Sequence, residues 1–71
     1  SGGFMENRVK ELRLEYGITQ QELSDRVSVS SRTIISLEKQ KYNPSVLLAY
    51  KIASVFNLSI EETFIFDEDD K

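Results

Sequence analysis

The 71-residue sequence predicts an all-α fold, a compact five-helix bundle. Three observations predict it. Apolar residues recur three and four apart in successive short segments. Hydroxyl residues stand three positions ahead of glutamates where two of those segments begin. Gly17 and Pro44 fall between segments, not inside them.

Taken in order, Val9, Leu12 and Tyr16 form one stripe, so a first helix is expected from Met5 to Tyr16, stopped by Gly17 at the C′ position. Thr19 and Glu22 have the spacing of a capping box, which opens a second helix with Leu23 and Val27 facing inward. Ser28-Val29-Ser30 interrupts the pattern for three residues, and Ser30 caps a third helix that buries Ile34 and Leu37. Asn43-Pro44-Ser45 is a turn, because a residue before proline avoids the helical region. The fourth helix carries Leu48, Ile52, Ala53 and Phe56. Ser59 and Glu62 repeat the capping-box spacing before a short fifth helix holding Ile60, Thr63 and Phe64. No strand is expected.

One domain spanning residues 5–66 is all that this length allows. Residues 1–4 read as an expression-tag remnant ahead of Met5, and residues 67–71 as an acidic, disordered tail. Nine basic residues stand against twelve acidic ones, and there is no Cys and no His. Disulfides, thiolate metal sites and imidazole chemistry are therefore excluded, and with no glycine-rich phosphate loop an enzyme is not expected. No cofactor, metal or small-molecule ligand is implied. No transmembrane run or signal peptide is visible, so a cytoplasmic protein is the expectation.

The stretch Thr19–Gln40 carries the functional content. At 100° per residue, Ile34, Leu37 and Glu38 share one side of the third helix, while Arg32, Ile35, Ser36 and Lys39 share the other. Ser31, Arg32, Thr33 and Ser36 are hydrogen-bonding residues of modest bulk, suited to a major groove about 12 Å wide. The charge balance of the whole chain opposes phosphate binding, but its distribution does not. Between Arg26 and Lys51 five cations face Glu38 alone, and six of the twelve acids lie in the last eleven residues.

Val9, Leu12-Arg13, Gly17-Ile18-Thr19-Gln20, Glu22-Leu23, Val29-Ser30, Thr33-Ile34, Leu37-Glu38, Lys41, Asn43-Pro44-Ser45, Lys51-Ile52-Ala53 and the segment from Phe56 to Phe64 together resemble the phage-repressor (Cro-like, xenobiotic-response-element) helix-turn-helix family. The resemblance implies a lambda-repressor-like bundle whose third helix enters the major groove of double-stranded DNA. It also implies a bacterial or phage transcriptional regulator, acting as a repressor and reading a palindromic operator as a homodimer. On it, Ser31, Arg32, Ile35 and Ser36 become base-reading positions. Gln20, Lys39, Lys41 and Asn43 become contacts to the DNA backbone, and the amide of Gln20 also faces phosphate. Arg13 and Glu38 become a partly buried ion pair that fixes the third helix without touching DNA. Three positions depart from the common pattern: Ser28 replaces a turn glycine, Lys39-Gln40 replaces an Asn-Gly-like pair, and Ile35 is apolar where a polar reader is usual.

Ile35 has two readings, a widened core stripe or a contact to a thymine methyl. Gln21 is a plain surface residue, and Tyr42 and Tyr50 are packing or surface aromatics, not platforms for unpaired bases. Asn57-Leu58-Ser59 spells a glycosylation sequon in a chain with nothing to route it to a secretory compartment. Phe64, Ile65 and Phe66 are consecutive apolar residues, and a helix cannot turn all three inward, so this segment is the expected dimer surface. An alternative function on the same fold is a protein-interaction module docking through the tail or through that apolar edge.

Overall fold

The computed structural model describes residues 6–65. In chain order they form β1 (Glu6–Asn7), α1 (Val9–Glu15), α2 (Gln20–Arg26), α3 (Ser31–Glu38), α4 (Val46–Val55), α5 (Ile60–Thr63) and β2 (Phe64–Ile65). The five helices stand where the periodicity places them. The proposed tag remnant, the acidic tail and Phe66 lie outside the described residues.

Three expectations are corrected at the ends of the fold. Strands do occur: β1 and β2 pair antiparallel, with Glu6 opposite Ile65 and Asn7 opposite Phe64. The first helix accordingly starts at Val9, not Met5. The cause is Asn7, whose Oδ1 accepts the Val9 N–H at 3.1 Å and so turns the chain into the helix instead of extending it backwards. At the other end Phe64 leaves the fifth helix, with ψ of 133°, and its ring is completely buried. Arg8 closes this end of the molecule. Its backbone N–H donates to Thr63 O at 2.9 Å and its Nη1 to Glu62 O at 3.1 Å. Glu11, 2.8 Å from Arg8 Nη2, raises the guanidinium pKa above its ordinary value by hydrogen bond and charge.

The core gathers Val9, Leu12, Ile18, Leu23, Val27, Ile34, Leu37, Leu48, Ala49, Ile52, Phe56 and Phe64 from every helix-bearing segment. Tyr16, expected on the buried stripe, is instead 48% exposed. It sits at the C-cap of α1, where it packs edge-on against Phe56 with ring centroids 5.1 Å apart and donates its hydroxyl to Phe56 O at 3.1 Å. No helix among the described residues is long and apolar enough to cross a membrane.

One joint recurs after each of the first four helices. Gly17, Ser28, Gln40 and Asn57 all take a left-handed φ, between 57° and 68°. In each case the next residue's N–H reaches back to a carbonyl in the last turn: Ile18 to Arg13, Val29 to Ser24, Lys41 to Ser36 and Leu58 to Ala53. These are Schellman closures, and they satisfy carbonyls that a helix end leaves unpaired. After three of them the following residue is the hydroxyl cap of the next helix, Thr19, Ser30 or Ser59. Asn57 is thus accounted for as a left-handed helix stop and Ser59 as a cap.

Candidate nucleic-acid interface

Of all the helices, α2 and α3 pack against each other most extensively. The local reasons are legible. Thr19 Oγ1 accepts the Glu22 N–H at 3.0 Å while Glu22 Oε1 accepts the Thr19 N–H at 3.1 Å, completing the capping box that starts α2. Leu23 and Val27 face inward, and Ser28 at φ 60° turns the chain so that Ser30 caps α3. Ser24 is fully buried, and its hydroxyl is satisfied within its own helix by Gln21 O at 2.8 Å.

On α3, Ile34 and Leu37 are completely buried and Arg32 is exposed. Ser31, Thr33, Ile35 and Ser36 are half-buried. Ile35 is absent from the apolar cluster and from the residues packed on it, so it does not serve as a widened core stripe. Lys39 at the C-cap, and Lys41 and Asn43 beyond it, are exposed, as are Arg26 and Lys51. Tyr42 and Tyr50 lie at the surface, 41% and 61% exposed.

The acid in this basic stretch is not free. Arg13 Nε donates to Glu38 Oε2 at 2.7 Å and Arg13 Nη2 to Glu38 Oε1 at 3.2 Å, a two-pronged pair with both side chains at least nine-tenths buried. Arg13 Nη1 also donates to Ile18 O at 3.0 Å. The pair links α1 to α3 and compensates Glu38, the one acidic residue in the sequence between Arg26 and Lys51. Glu38 Oε1 accepts a further bond from Gln20 Nε2 at 3.1 Å, so Gln20, half-buried at the first position of α2, joins the same network.

Three contributors escape a reading of the sequence. Asn7 donates from Nδ2 to Leu37 O at 2.9 Å, tying β1 to the end of α3 across thirty residues. Its only signal is an Asn two places before a helix. The bond from Gln20 to Glu38 joins two positions with no shared periodicity, and the left-handed φ of Gln40 falls on a residue type that does not announce it. At the other end, Phe64 gives its ring to the core and is therefore not available as a dimer contact. Ile65 remains 47% exposed beside it.

A helix-turn-helix family profile matches residues 9–62. A relative in Archaeoglobus fulgidus, an uncharacterized HTH-type transcriptional regulator, is 58% identical over 66 residues, covering 93% of this chain and 93% of its own length. The uncharacterized HTH-type transcriptional regulator YgzD of Bacillus subtilis is 42% identical, over 92% of this chain and 98% of its own. Relatives thus occur in archaea, outside the bacterial and phage range that the resemblance implies. Among solved structures, the crystal structure of a Bacteroides fragilis protein superposes with a TM-score of 0.76 at 27% identity, covering 84% of this chain and 97% of that one. With its profile match across α1 to α5 and full-length relatives on both sides of that divide, the chain belongs to the helix-turn-helix family of transcriptional regulators.

Proposed function

We propose that this chain is a cytoplasmic repressor that reads a palindromic operator in double-stranded DNA as a homodimer, with α3 of each copy in a major groove. The observation that carries the reading is the outer side of α3. It exposes Arg32 beside the half-buried Ser31, Ile35 and Ser36, while the acid next to them is compensated by Arg13. Ser31, Arg32, Ile35 and Ser36 read base edges, Ile35 through a thymine methyl, and Gln20, Lys39, Lys41 and Asn43 hold the phosphates. One such helix spans too few base pairs to stand out in a genome, which is why two copies are required. Their pairing surface is the β2 end, through Ile65 and Phe66. Selection from a random duplex pool tests the proposal. A two-fold symmetric site with half-sites about 10 base pairs apart is expected.

A second reading, a protein-interaction module, draws on Val46, Leu47 and Tyr50 on α4, which are 79%, 61% and 61% exposed. Failure to enrich any duplex, by a chain shown to be folded, favours that reading.

A further inference from the structure

The hydrogen bond from Gln20 to Glu38 has a consequence for DNA docking, one that rests on the DNA-binding reading above. Gln20 begins α2, Glu38 ends α3, and Arg13 of α1 holds both oxygens of the carboxylate, sharing Oε1 with Gln20, so one buried group meets three helices. A primary amide nitrogen carries two N–H groups. Gln20 directs one inward to Glu38 Oε1, and the other has no partner among the described residues. A free glutamine side chain loses rotamer freedom when it is ordered on binding, and one that is already fixed does not. The anchor also carries no net charge, because Arg13 compensates Glu38, so the carboxylate 3.1 Å from the amide does not repel the phosphate.

We infer that Glu38 is a positioning residue for DNA docking: it touches no DNA, but holds the amide of Gln20 so that the second N–H meets a backbone phosphate as α3 enters the groove. The phosphate contact on α2 and the base contacts on α3 are thereby set in one frame, since the same carboxylate belongs to the reading helix.

The test uses the full chain and the duplex recovered by selection, and compares Gln20→Met in two backgrounds, the wild type and the double variant Arg13→Met, Glu38→Leu. Replacing both ions avoids leaving one of them buried without its partner, and circular dichroism checks the fold. In the wild type, Gln20→Met is expected to weaken binding about tenfold or more, the loss of a hydrogen bond to a charged acceptor. In the double variant the same substitution is expected to cost less than about threefold. A single methylphosphonate at the contacted phosphate should make Gln20→Met silent in the wild type, which a purely structural role would not do. Equal losses in both backgrounds overturn the positioning role and leave DNA binding standing. No loss in the wild type overturns the Gln20 contact itself, whereas failure to select any duplex overturns the underlying reading instead. Side-chain amide relaxation of unmodified protein gives a check free of variants. Gln20 is expected to be as ordered without DNA as with it, and an amide mobile until DNA binds overturns the inference.

Discussion

Arg13 and Glu38, twenty-five residues apart, meet through two hydrogen bonds of 2.7 and 3.2 Å, with both side chains at least nine-tenths buried. A pair of this kind is worth little compared with two well-packed apolar residues, because desolvating both ions offsets most of their attraction. Losing one partner is different, since it strands a charge. Arg13→Met alone is therefore expected to destabilise the domain by about 3–5 kcal/mol, while the double change Arg13→Met, Glu38→Leu stays near neutral. Urea denaturation of the three proteins measures both, and a single variant as stable as the parent contradicts the argument.

Arg32 and Lys41 are assigned different work. Arg32→Ala should lose discrimination at one or two base pairs per half-site, by about 1–3 kcal/mol, because a guanidinium pairs bidentately with guanine O6 and N7. Lys41→Ala should weaken all sequences alike and reduce the salt slope by about one unit. Titrations of cognate and scrambled duplexes at several salt concentrations separate the two. Equal loss of specificity from both variants sinks this division.

Backbone conformation gives the third expectation. Gln40 holds φ of 60° with a side chain, whereas Gly17 holds φ of 68° without one, and a β-carbon at Gly17 would meet nothing within 4 Å. The cost of Gly17→Ala then lies in φ alone, about 1 kcal/mol. Gln40→Gly should gain about 0.5–1 kcal/mol by relieving the same strain, less the extra chain entropy of glycine. In a domain of this size that is a rise in Tm of several degrees, about 4–8 °C per kcal/mol. A lower Tm for Gln40→Gly would show that its side chain makes up for the strain.

The pairing surface is tested by charge. If the chain pairs as proposed, Ile65→Asp, Phe66→Asp should shift it to a monomer in sedimentation velocity and abolish cooperative binding to the selected site, with the fold intact by circular dichroism. Val46→Asp, Tyr50→Asp on α4 should do neither. The opposite outcome moves the dimer to α4.

Acid should loosen α5. Glu62 Oε1 accepts the Ser59 N–H at 2.9 Å, and this bond, followed by that of the Ser59 side chain, lowers the Glu62 pKa from its ordinary value of 4.5. A depressed folded-state pKa means that the stabilisation is present above the unfolded value and is lost as pH falls through the folded one. Between about pH 5 and pH 3, Tm should therefore fall further for the parent than for Glu62→Gln, which keeps an acceptor and does not titrate in that window. Parallel curves would mean that the cap is too exposed to matter.

Helix positions were legible because each is written locally: Thr19 with Glu22 and Ser59 with Glu62 spell their caps, and Leu23, Val27, Ile34 and Leu37 keep helical spacing. The pairing of Asn7 with Phe64 was not legible. It depends on two ends of the chain meeting, and two-residue strands carry no alternation to read. Tyr16 keeps helical spacing and is still 48% exposed, because its ring packs edge-on at the rim of the core against Phe56 with its hydroxyl on Phe56 O, not inside the core. At the interface, exposed Arg32 and buried Ile34 follow from periodicity. The attachment of Gln20 to Glu38 follows only from how three helices are stacked.

The repeated Schellman joint also separates folding from recognition. Each joint spends a left-handed residue, a residue that closes the helix and, in three of the four, a hydroxyl cap, and none of these is Ser31, Arg32, Ile35 or Ser36. Those four positions neither set a turn nor belong to the buried cluster. Each helix end is closed by main-chain bonds, so the proposed reading surface is free to drift while these joints stay fixed. On the proposed function, new operator preferences are then reachable by exchanging a few side chains on one helix, without the domain having to find a new way to fold.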